Sequence, residues 1–186
     1  MLCVKIPNNV NIIYNNNKNI LVFQNKTLYK LLNLEIKIII NSKKKHIIIT
    51  NNSIKKLASN KKKKLTTIQG LIKFKIKQIF LELTITYYQK LKFVGVGYRA
   101  MKINNKNEKN IFLLKLGLSH PLYLSSNNNI NLFCLKFTKL FIFGNSYNML
   151  TQTVANIRLV KWPEPYKGKG ILFINEKIKL KVGKKV

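Results

Sequence analysis

Twice along this chain, a series of short apolar runs broken by turns gives way to one stretch in which apolar residues recur at three and four residues. Period two belongs to half-buried strands and period 3.6 to amphipathic helices, so the alternation itself limits the folds available. In the first half, Val10–Tyr14, Ile20–Phe23, Leu34–Ile40 and His46–Thr50 read as strands. Asparagine-rich turns separate them, since asparagine tolerates the left-handed backbone region at little cost. Leu65, Ile68, Leu71, Ile72, Ile76, Ile79 and Phe80 then form the stripe of a helix, with Lys73, Lys75 and Lys77 mostly outside it. From Leu83 the strand pattern returns, with Leu91–Met101, Ile111–Leu116, Pro121–Leu124, Ile130–Leu135 and Leu140–Phe143 as candidates. A second helix is expected over Ser146–Val160, offering Met149, Leu150, Val154, Ile157 and Leu159 to a core.

The fold class that follows is α+β: two similar domains, each a small, mainly antiparallel sheet packed against one helix, with a basic C-terminal extension. The expected division is 1–82, 83–162 and 163–186. With 186 residues, the chain can bury one good core or two small ones, and an apolar share of 46% supports folding despite its charge.

That charge sets the partner class. There are 35 Lys and Arg against 5 Asp and Glu, for a formal net charge of +30. Arg99 and Arg158 are the only arginines, and aspartate is absent. A fold this basic repels itself until a polyanion neutralises it; nucleic acid is the first candidate and an anionic membrane surface the second. No apolar run approaches the ~20 residues of a spanning helix, so membrane insertion is not expected. The start, Met1–Pro7, reads as a first strand rather than a targeting segment.

Motifs for chemistry fail on context. Gly95-Val96-Gly97-Tyr98-Arg99-Ala100 follows a strand like a dinucleotide fingerprint, but a lysine–asparagine hairpin at 104–110 follows where a helix is needed, and no acid stands ~20 residues on. Ser119-His120 lacks a carboxylate to orient the histidine, and neighbours on a strand face opposite ways. His46 reads as a strand-end residue. Glu35, Glu82, Glu108, Glu164 and Glu176 are scattered. Cys3 and Cys134, without CxxC spacing, read as buried small hydrophobes, and two cysteines with two histidines make no zinc set. No catalytic residue, cofactor, metal or small-molecule substrate is expected.

One stretch carries more information than its charge: Trp162-Pro163-Glu164-Pro165-Tyr166-Lys167-Gly168-Lys169-Gly170-Ile171. The prolines exclude helix, and Lys-Gly-Lys-Gly alternates cations with residues that admit close backbone approach to a phosphate. Tyr166 beside them can stack on a base.

From Pro163 to Ile171 this stretch resembles the signature of the large-subunit ribosomal protein L-six family, in its bacterial and organellar form. Leu91–Ala100, the block Leu114-Lys115-Leu116-Gly117-Leu118-Ser119-His120-Pro121, and Gln152–Arg158 extend the resemblance. Trp162 departs from it, where the family usually has proline. The resemblance implies a non-catalytic component of the large ribosomal subunit, meeting rRNA near the sarcin–ricin loop and the translation-factor site, with other large-subunit proteins as neighbours. Carried onto matching positions, it implies rRNA contacts at Arg158, Pro163, Tyr166, Lys167, Gly168, Lys169 and Gly170. Lys161, Lys184 and Lys185 join them from charge and position. The tail from Lys177, alternating lysine with apolar residues, reads as an arm ordered only against RNA.

The dominance of lysine, asparagine and isoleucine, expected of A/T-rich coding DNA, together with the lack of an import signal, points to synthesis inside an organelle, with the mitochondrion preferred over a plastid. Two rivals remain: a membrane-surface protein using its lysines on anionic lipid, and a nucleotide-dependent enzyme using Gly95 and Gly97. Neither accounts for the signature stretch.

Overall fold

Asparagine opens the first hairpin: Asn15 Oδ1 accepts from the N–H groups of Asn17 (3.1 Å) and Lys18 (3.3 Å), and Asn19 takes a positive φ of 52°. This turn joins β2 (Asn11–Asn15) to β3 (Ile20–Gln24). The computed structural model describes residues 2–42, 44–53, 62–103, 111–125 and 129–183. They divide into two compact units, Met1–Ile85 and Thr86–Val186.

In the first unit, β2, β3 and β4 (Tyr29–Asn33) form one antiparallel sheet. β1 (Leu2–Lys5), β6 (His46–Ser53) and β5 (Ile36–Asn41) form another in the order β1-β6-β5. β4 has no counterpart among the expected strands, and the strand expected over Leu34–Ile40 starts only at Ile36. Alternation drives the inward residues of β3 and β5 toward the core: Leu21, Phe23, Ile36 and Ile38 are buried and Ile40 is half-buried against them, with Ile47 and Ile49 opposite. α1 (Lys62–Thr84) seals this core with Ile72, Ile76, Phe80 and Leu83, and so runs past the point where strand was expected. Leu71, expected on the inner stripe, is exposed. Buried Glu82 near the end of α1 is paired with Lys30 of β4, which lets a carboxylate sit beside the core. Burial pushes the Lys30 ammonium below its ordinary value.

In the second unit, β7 (Tyr87–Val94) lies inside a four-stranded antiparallel sheet of order β11-β12-β7-β13. Its partners are β11 (Ile130–Lys136), β12 (Lys139–Gly144) and β13 (Gly170–Phe173). β8 (Arg99–Ile103), β9 (Ile111–Lys115) and β10 (Leu122–Ser125) form a second sheet, and α2 (Tyr147–Val160) packs over β7, β12 and β13. α2 buries Leu150, Val154 and Ile157; Leu159, expected to join them, is 67% exposed.

The strand expected over Leu91–Met101 is broken in two. Gly95 (φ 157°) and Gly97 (φ 73°) turn the chain between β7 and β8, and the buried ring of Tyr98 folds back over Gly95. A Cβ at Gly95 would lie 2.8 Å from that ring, and one at Gly117 would lie 3.2 Å from it. One aromatic side chain thus explains glycines in two separate sequence blocks. Cys3 is exposed rather than buried, and Cys134 is half-buried with its thiol toward the Ala100 carbonyl. The fold is α+β, with small antiparallel sheets set against one helix in each unit. The 104–110 hairpin and Glu108 lie outside the described residues.

Candidate nucleic-acid interface

The signature stretch closes a tight loop between α2 and β13. The Ile171 N–H donates to the Lys161 carbonyl at 3.0 Å, and the Glu164 N–H donates to the Lys169 carbonyl at 2.9 Å. Inside that ladder, the Gly168 N–H donates to the Glu164 carbonyl at 2.9 Å. Pro165 fixes φ where this turn begins, and Gly168 ends it at φ 67°. Pro165, Tyr166 and Lys167 therefore stand at the tip, all exposed, with Tyr166 53% accessible. Lys161 and Lys169 flank the tip and are half-buried. Among the described residues, no hydrogen bond uses the N–H groups of Tyr166, Lys167 or Lys169. Donors and ammonium groups on one exposed turn give it the chemistry of an anion site.

The other expected site residues divide by environment. Gly170 is buried in β13 at φ 148°, where a Cβ would stand 2.5 Å from Pro163 Cα and 2.8 Å from Pro163 N. Its bareness lets the two legs of the loop touch. Pro163 is half-buried on the facing leg. Arg158 lies a turn earlier on α2, with its guanidinium carbon 4.4 Å from the Trp162 ring centre and 4.9 Å from that of Phe173. Its Nη2 donates to Glu176 Oε1 at 2.5 Å, while Glu176 Oε2 accepts the Phe173 N–H at 3.2 Å. This planar cation is held on two rings and one carboxylate, an arrangement that lysine cannot reproduce. Lys184 and Lys185 lie outside the described residues.

Sequence reasoning missed this clamp, although the i, i+4 spacing of Arg158 and Trp162 was a visible cue. It also missed the return of the tail. The Lys181 N–H donates to the Pro165 carbonyl at 2.9 Å, and a Cβ at Gly168 would meet Leu180 Cδ2 at 3.4 Å. The tail therefore touches the signature turn instead of leaving it.

The tempting alternatives sit elsewhere. Ser119 and His120 are exposed in the β9–β10 connection just before Pro121, with Oγ 3.3 Å from Nδ1. No described carboxylate bonds to His120. His46 opens β6 and its ring N–H meets the Lys44 carbonyl. Among the described residues, no cluster of His, Cys, Asp or Glu has the makings of a metal site, and no helix is long and apolar enough to cross a membrane.

No family model matches the chain. It is 36% identical over 121 residues to large ribosomal subunit protein uL6 of Alkaliphilus oremlandii, an alignment covering 65% of each chain. It is 33% identical over 117 residues to uL6 of Lacticaseibacillus casei, covering 63% of this chain and 64% of the relative. With large ribosomal subunit protein uL6m of Prototheca wickerhamii, the identity is 37% over 122 residues, covering 62% of this chain and 63% of the relative. In each case the match spans slightly less than two thirds of the relative's length.

Proposed function

The chain belongs to the uL6 family of large ribosomal subunit proteins, and from that premise we propose that it is a structural, non-catalytic constituent of the large subunit of an organellar ribosome. The observation that carries the reading is the hydrogen-bonded turn that holds Tyr166, Lys167 and Lys169 together on a strongly basic chain. Lys161, Lys167 and Lys169 neutralise phosphates of large-subunit rRNA, and Tyr166 offers a face to a base. Lys184 and Lys185 extend the same role from sequence alone. Pro163, Gly168 and Gly170 act by shaping the turn, with the RNA backbone approaching closest at Gly168. Arg158 contributes by holding the turn's base.

The contact region is the rRNA near the sarcin–ricin loop and the translation-factor site, among neighbouring large-subunit proteins. The lysine–asparagine–isoleucine bias and the likeness to a uL6m chain support a mitochondrial location over a plastid one.

Sedimentation of an organelle lysate at low and moderate salt tests the assignment. The protein is expected to travel with the large subunit; recovery as a free or membrane-bound species sinks it. Binding to large-subunit rRNA tests the turn. Lys167→Ala with Lys169→Ala is expected to flatten the slope of log affinity against log salt by about 0.7–0.9 for each phosphate no longer neutralised. An unchanged slope removes these lysines from the interface.

A further inference from the structure

The four-stranded sheet of the second unit turns one face to its core and leaves the other open across β11, β12 and β7, whereas Leu172 of β13, paired with Lys92, is buried on that side. On the open face the register sets Phe143 beside Tyr88, and Phe141 between Lys90 and Phe133. Tyr88 is 62% exposed and Phe133 56%, although both are large aromatics on regular strands. The rings of Tyr88 and Phe141 lie 5.6 Å apart, and those of Phe141 and Phe143 lie 5.5 Å apart. Lys90 Nζ stands 5.5 Å from the Tyr88 ring centre and 5.7 Å from that of Phe141.

Lys92 and Lys139 complete the face, directly opposite each other on β7 and β12. Like charges at paired positions destabilise a sheet. No acid relieves them from within the face, since residues 87–94 and 130–144 contain neither aspartate nor glutamate. The face therefore combines flat apolar rings with cations that lack an anion.

We propose that this face is a second RNA-binding surface, on which unpaired nucleotides stack against Tyr88, Phe141 and Phe133 while their phosphates sit on Lys90, Lys92 and Lys139. Stacking of bases on exposed sheet aromatics is how single strands are held without sequence preference, and flanking lysines supply the salt-dependent part. An apolar protein partner would bury three lysines without compensation, which disfavours it on charge. The proposal rests on the reading of the chain as RNA-binding, but on no residue of the signature turn.

The test uses the full chain and a fluorescent twelve-nucleotide oligouridylate in moderate salt, beside a large-subunit rRNA fragment. Tyr88→Leu with Phe133→Leu keeps apolar bulk at two exposed positions outside the core and removes the stacking faces. It is expected to weaken oligouridylate binding about tenfold or more with the salt slope unchanged. Lys92→Gln is expected to lower that slope by about 0.7 instead. The Lys167→Ala, Lys169→Ala chain should keep most of its oligouridylate affinity. Crosslinking of 4-thiouridine in the probe should map to β7, β11 or β12. Equal affinity of the leucine variant and the parent overturns the proposal, as does a parent that ignores oligouridylate. The rRNA fragment then reports separately whether the signature turn still binds. Unchanged RNA binding by the leucine variant, with loss of another large-subunit protein from the assembled particle, reassigns the face to protein docking and also overturns it.

Discussion

Two glycines of the signature turn look interchangeable in the sequence but sit in different surroundings. Gly168 ends the turn at φ 67°, and an added methyl would meet only the flexible tip of Leu180. Alanine there costs the left-handed penalty alone, about 1–2 kcal/mol. Gly170 adds a steric conflict with backbone, since its Cβ would lie 2.9 Å from the Trp162 carbonyl as well as against Pro163. Backbone cannot swing aside as a leucine tip can, so Gly170→Ala should lose about 3 kcal/mol or more. Urea unfolding of the two variants checks the order; equal losses would mean that the two legs of the loop are not held together. Sequence alone offered no way to tell these glycines apart, because the packing that distinguishes them comes from the opposite leg.

Among the elements, β13 and the last turn of α2 are joined by Arg158 as well as by the apolar core. The guanidinium spans Trp162, Phe173 and Glu176, with the side chains of Arg158 and Glu176 17% and 25% exposed. Arg158→Lys retains the charge but loses the planar stack and the fixed donor geometry. A double-mutant cycle of Arg158→Lys with Glu176→Gln should return a coupling of about 1 kcal/mol. If Arg158 acts by position, the lysine variant should weaken rRNA binding without changing its salt slope. A slope lowered as in the Lys167→Ala, Lys169→Ala chain would instead place Arg158 on a phosphate. The helices and most strands were readable because their apolar periods are long or sharply bounded, as with Leu150, Val154 and Ile157. β4 and β13 were not. Tyr29–Asn33 is hidden by its exposed Tyr29 and Leu31, and Gly170–Phe173 by the glycines and lysines before it. The split at Gly95–Gly97 is masked because an apolar run continues on both sides of it; only the folded-back Tyr98 ring reveals why the chain must turn.

For the whole molecule, the formal net charge of +30 is a destabilising term that no internal feature cancels. Two ion pairs are formed among the described residues, Lys30 with Glu82 and Arg158 with Glu176, leaving most lysines to repel one another through solvent. That repulsion acts over a distance set by salt: the screening length falls from about 30 Å at 0.01 M to about 10 Å at 0.1 M. The isolated chain should therefore gain stability across this range, opposite to a protein held by surface ion pairs. A relief of about 2 kcal/mol would raise Tm by roughly 4–8 °C for a chain of this size. Short polyphosphate at low ionic strength should reproduce the rise, because an anion bound only by the folded form stabilises it by mass action. Thermal unfolding followed by circular dichroism across the salt series decides the matter. A Tm that stays flat or falls would mean the lysines are spaced widely enough to be harmless alone, and the charge would then cease to argue for a polyanionic partner.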